Sequence, residues 1–166
     1  MRPRTGALPN ATMSHLTPPG MSARDLTAFL HEKIPLTRAM GVTVVDSGVR
    51  LVLEAPLAPN VNHLGTAFGG SLHALPTLAG YAAVWTLLHE AGVDGHVVIK
   101  RSEALYRQPV TGVLRAECVR PGPAAAAEFI ADLRRNKKAR MDLTAIVPGA
   151  NGKPAVDFNG RFVAVL

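Results

Sequence analysis

The sequence predicts an α+β domain in which strands wrap one long buried helix, and three observations carry that prediction. Residues 70–91, "GSLHALPTLAGYAAVWTLLHEA", are apolar nearly all round, so a helix there must be covered on every side. The other segments alternate apolar and polar residues over strand lengths, with turn residues between them. A chain of 166 residues with 48% hydrophobic content suits one domain with a real core, expected over residues 22–166.

The elements follow in order. Residues 1–21, rich in Pro, Thr and Gly, are expected to form a loose leader, with Met13 and Met21 as alternative starts. "SARDLTAFLHEKI" opens on a Ser22/Asp25 capping signal and places Leu26, Phe29 and Leu30 on one face, a short helix that Pro35 should end. "GVTVVDSGVRLVLEAPL" alternates on both sides of Asp46, Ser47 and Gly48, as a hairpin or bulged strand pair does. The central helix should stop at Gly92. "HVVIKRSEALYRQPV" and "GVLRAECVRP" read as strands joined near Pro109–Gly112, and Phe129, Ile130 and Leu133 mark a second short helix. A last pair, "MDLTAIVPG" and "KPAVDFNGRFVAVL", meets across the turn "GANGK".

Composition narrows the function classes. One cysteine, Cys118, allows neither an internal disulfide nor a multi-cysteine metal site, and its flanks read as strand core. No apolar leader of signal-peptide type and no clean membrane span occurs, so a cytoplasmic location is expected. The net charge of +6 raises nucleic acid or a phosphorylated ligand as partners. Its densest run, "RRNKKAR" at 134–140, reads either as a solvated helix end or as a phosphate-binding patch. Nucleic acid is disfavoured, because only 5% of residues are aromatic and none interleaves the run to stack on bases. The six histidines, among them His31, His63, His73, His89 and His96, lack the partner spacing of a metal site, so neither a metal site nor a cofactor is expected.

The chemistry concentrates in "NVNHLGTAFGGSL", residues 60–72. Gly69 and Gly70 stand where a polar loop becomes a helix. The first N–H groups of a helix lack internal partners and carry the positive end of its dipole, so such a start can hold a developing negative charge. Glycines let another molecule approach that backbone closely, or let helix and sheet pack closely; both readings stand. "GTAFGG" lacks the three-glycine dinucleotide fingerprint and no parallel strand-helix-strand unit surrounds it.

With "YRQPVTG" at 106–112, "KKARMDL" at 137–143 and "FNGRFVAV" at 158–165 following in order, the chain resembles the hotdog-fold thioesterases. More closely it resembles the thioesterase-like domains found attached to N-acetyltransferase domains, although no such second domain is expected within these 166 residues. The resemblance covers residues 26–166 and implies an antiparallel sheet wrapped around the central helix. It also implies a homodimer or dimer of dimers, acting on acyl-coenzyme A or acyl-carrier-protein thioesters at a dimer-interface site. The N–H groups near Gly69, Gly70 and Ser71 would then form the oxyanion hole.

The chain departs from its His-Gly-Gly relatives. Phe68 stands in place of the histidine, and Thr77 falls where those relatives place a catalytic carboxylate; no Asp or Glu occurs between Gly65 and Leu88. His73 shares a helical face with Thr77 and could serve as base, as could His63 on the loop. Thr66, Ser71 and above all Asn62 could hold a carbonyl or water by neutral hydrogen bonds, with turn formation the competing role for the asparagines. Asn60, His63 and Phe68 complete the expected binding loop, and Lys100, Arg101 and Arg107 would face the phosphates or acidic carrier. Donors without an acid-base carboxylate also suit decarboxylation of a malonyl thioester, which needs enolate stabilisation but no proton abstraction. A non-catalytic acyl-binding protein is the third reading.

Overall fold

The computed structural model describes residues 20–166, so all but the last two residues of the expected leader lie outside the described residues. Helix α1 spans Ala23–Lys33, capped as expected by Ser22, whose hydroxyl accepts from the Asp25 N–H at 3.1 Å. Pro35 ends α1 and then opens a short helix not expected from sequence, α2 at Pro35–Ala39. Proline suits a first helical position because no intrahelical acceptor awaits its missing N–H.

Strands β1 (Thr43–Ser47), β2 (Arg50–Ala55), β3 (His96–Tyr106), β4 (Leu114–Val119), β5 (Lys138–Pro148) and β6 (Pro154–Val165) form one antiparallel sheet, in the order β1-β2-β4-β5-β6-β3. The two expected hairpins, β1–β2 and β5–β6, are present. The strands joined through 107–113 are not neighbours: β4 sits between β2 and β5, and β3 lies at the far edge against β6. Helix α4 (Pro123–Asn136) packs on β5. The basic run therefore divides, with Arg134 and Arg135 ending α4, Lys137 turning the chain at φ 60°, and Lys138 and Arg140 opening β5.

The long helix α3 (Gly69–Glu90) packs against β2, β3, β4, β5 and β6. Gly92 follows it at φ +61°, and the Val93 N–H returns to the Leu88 carbonyl at 2.9 Å, a left-handed stop of the expected kind. Pro76 stands inside α3 and removes one helical N–H, which leaves the Leu72 carbonyl without its usual donor. No helix among the described residues is long and apolar enough to cross a membrane.

Close packing of helix on sheet depends on Gly80 rather than on the glycine pair. A Cβ at Gly80 would fall 2.5 Å from Cζ of the fully buried Phe162. Gly80→Ala is expected to destabilise by about 1–3 kcal/mol through overpacking, read as a lower urea midpoint with an unchanged m-value. Cys118 is buried in β4, and burial pushes its thiol up to about 11, so it is strand core and not a reactive group.

Candidate active site

The loop before α3 is built by its own polar groups. The Asn62 carboxamide oxygen accepts the N–H groups of Leu64 (2.9 Å) and Thr66 (3.2 Å), and its nitrogen donates to Thr66 Oγ1 (2.9 Å) and, at longer range, to the Ala67 carbonyl (3.4 Å). Gly65 at φ +77° closes the turn, and a Val61–Ala67 bridge ties its stem. Every hydrogen-bonding group of Asn62 is thus engaged within the loop, and Thr66 is its partner. Asn62→Ala is expected to cost about 1–2 kcal/mol and to loosen this entry to the helix, seen as earlier urea unfolding.

Asn60 is buried, with its nitrogen donating to the Met40 and Pro56 carbonyls, at 2.9 and 2.8 Å, and its Oδ1 unpartnered. Its own carbonyl accepts the Phe68 N–H at 2.7 Å, while the Ala67 N–H reaches the Val110 carbonyl at 2.8 Å. These bonds fix the two residues that lead into the helix start, so Asn60 frames the site from behind. His63 is exposed on the loop.

Helix α3 begins bare. Its N-cap, Phe68, makes no side-chain cap, and the first turn carries no acidic residue. The N–H groups of Gly69, Gly70 and Ser71 have no intrahelical acceptor, and the helix dipole gives that end a positive potential. The half-exposed Phe68 ring lies over Gly70, where a Cβ would stand 2.2 Å from Cε1. A side chain at Gly70 would therefore push that ring aside, whereas Gly69 has ordinary contact distance to Tyr106, at 3.8 Å. Gly69, Leu72, Tyr106 and Arg107 line a shallow groove of about 370 Å³ at this end.

One turn further on, His73 is half-buried and faces β3. Its Nε2 lies 2.9 Å from Ser102 Oγ, its Nδ1 3.5 Å from Tyr106 Oη, and its ring meets the edge of Phe158 at 5.4 Å between centroids. The Tyr106 hydroxyl donates to the Gly69 carbonyl at 3.1 Å. The Thr77 hydroxyl donates to the His73 carbonyl at 2.9 Å, so it is occupied by its own helix.

The basic residues separate. Arg107 borders the groove at the helix start and pairs with Asp157. Arg101 lines a different hollow of about 310 Å³, with Glu103, Asp142 and Arg161, on the sheet face turned away from α3. Lys100 is exposed at a β-bulge between Ile99 and Arg101. Among the described residues no group of three or more His, Cys, Asp or Glu is placed to hold a metal.

Sequence reasoning missed Ser102 and Tyr106. Strict alternation from Val97 and Ile99 puts Arg101, Glu103 and Leu105 on the helix side of β3. The bulge at Lys100 inverts this, so that Ser102, Ala104 and Tyr106 pair with Gly160, Phe158 and Val156 and face α3.

A long helix in the grip of an antiparallel sheet is the architecture of the hotdog-fold proteins. Solved structures agree. A protein of unknown function from Chlorobaculum tepidum TLS is 30% identical, with a TM-score of 0.82 over 88% of this chain and 98% of that one. A putative thioesterase from Shewanella oneidensis is 29% identical, with a TM-score of 0.77 over 87% and 97%. A thioesterase from Haemophilus influenzae, 12% identical at a TM-score of 0.64 over 87% and 90%, shares the fold. The chain belongs to the family described as "Putative thioesterase (yiiD_Cterm)", which matches residues 23–166.

Proposed function

We propose that the chain is an acyl-thioester hydrolase acting on acyl-coenzyme A or acyl-carrier protein in the cytoplasm. It fits the branch whose relatives are attached to N-acetyltransferase domains. The observation that carries the reading is the pairing of a bare helix start with a half-buried imidazole one turn away. Hydrolysis places negative charge on the thioester oxygen and needs a proton taken from the attacking group. The N–H groups of Gly69, Gly70 and Ser71 answer the first need, and His73 answers the second. Arg107 borders the groove as half of an ion pair with Asp157, and exchanging that carboxylate for a phosphate or the acidic carrier would bring its charge to the substrate.

The reading includes a homodimer formed along β3. This edge strand is 11 residues long and leaves Val98, Ile99, Leu105 and Tyr106 exposed, an edge that soluble proteins ordinarily cover or blunt. Antiparallel addition of a second β3 would continue the sheet and enclose the groove at the helix start. Malonyl-thioester decarboxylation is the second reading, favoured by one observation: α3 has no acidic residue before Glu90 to repel a substrate carboxylate.

Release of free thiol from a panel of acyl-coenzyme A and acyl-carrier-protein thioesters tests the proposal. Turnover of at least one class is expected. A purified, folded protein that releases thiol from none of them is not a thioesterase.

A further inference from the structure

The bond between Ser102 and His73 has a direction that the neighbouring groups determine. A carbonyl oxygen has no proton, so Tyr106 must donate its hydroxyl hydrogen to Gly69. The phenolic oxygen is left with lone pairs toward His73 Nδ1, at 3.5 Å, which favours the tautomer with its proton on Nδ1. Nε2 then presents its lone pair to Ser102, and the serine hydroxyl donates to it at 2.9 Å. A water seeking that lone pair would first have to displace the serine.

Resting on the thioester-hydrolase reading, we propose that Ser102 is the catalytic nucleophile, activated by His73, with Tyr106 as a positioning residue. Three observations converge on this. The β3 bulge turns Ser102 toward α3 against the strand's alternation, and bulges recur beside active sites for this purpose. The pair is tied to the helix start through Tyr106, whose hydroxyl lies 3.5 Å from His73 Nδ1 and 3.1 Å from the Gly69 carbonyl. Helix α3 offers no carboxylate for the role before Glu90.

The chemistry balances without a cofactor. Ser102 Oγ bonds to the thioester carbon while its proton passes to Nε2, and the carbonyl oxygen takes the negative charge toward the helix start. Collapse re-forms the carbonyl, breaks the C–S bond and sends the proton from Nε2 to the leaving thiolate. Water then attacks the acyl-serine, giving its proton to Nε2. The ester C–O bond breaks, Ser102 recovers that proton, and the free acid departs.

The test is fluorophosphonate labelling of the full-length protein, which reads an activated serine without any thioester, followed by peptide mapping. An adduct on Ser102 is expected, slowed at least ~100-fold in His73→Ala. Tyr106→Phe should keep the thermal midpoint but shift the pH profile of labelling, which a packing role would not move. If Ser102→Ala does not fold, Ser102→Cys keeps the volume, and alkylation of its thiol should be accelerated by His73. Thioester turnover with no adduct at Ser102, or at full rate in Ser102→Ala, overturns the serine and leaves the hydrolase reading standing. An adduct on Ser102 in a protein that cleaves no thioester supports the activated serine and overturns the hydrolase reading alone.

Discussion

His73→Ala is expected to lower kcat/KM for thioester cleavage by about 10²–10⁴-fold while the protein stays folded. The imidazole alone among the groups at the helix start combines a basic nitrogen, partial burial and a partner placed to orient it. Thr77 cannot replace it, because its hydroxyl is committed to the His73 carbonyl, and Asn62 is consumed by its loop. Removing the ring also loses its contact with Phe158, so the stability of the variant must be measured alongside its rate. Added imidazole should restore part of the activity of His73→Ala, since the vacated space matches the missing group. Restoration would separate a chemical role from a packing one, and an undiminished rate would remove His73 from the mechanism.

The second large effect concerns the β3 edge. Val98 and Leu105, 53% and 50% exposed, lie on the side of β3 turned away from α3, so changing them leaves the Ser102–His73 pair untouched. In a two-fold pairing of β3 strands, the double substitution Val98→Lys and Leu105→Lys brings like charges together on one sheet face. The dimer should weaken at least ~100-fold, equivalent to about 2.7 kcal/mol, as read by sedimentation. On the proposed pairing, activity should fall with dissociation, because a second β3 would no longer enclose the groove at the helix start. A wild-type protein that sediments as a monomer at assay concentrations would contradict the pairing.

Much of this architecture is readable from local pattern. The all-round apolar run of α3 and its Gly92 stop, the Ser22 cap and the two hairpins each rest on residues close in sequence, where propensity and turn chemistry act directly. Strand order is not local, and nothing in β3 or β4 announces that a seven-residue connection carries the chain from the sheet edge to its middle. The helix start was legible because glycine and uncapped N–H groups act through the backbone. The expectation that neighbouring glycines ease helix–sheet packing belongs to Gly80, since only the fold brings Phe162 there. Ser102 and Tyr106 stayed hidden for a single reason. One extra residue at Lys100 reverses which side chains of β3 face inward, and no composition or periodicity marks that residue.

Product analysis by mass spectrometry tests the central claim most directly, with malonyl and straight-chain thioesters incubated in water enriched in heavy oxygen. Hydrolysis at the start of α3 predicts a free thiol and an intact acid carrying one oxygen from solvent. Conversion of the malonyl to the acetyl thioester, with no free thiol and no solvent oxygen in an acid product, would contradict it and assign the helix start to an enolate instead.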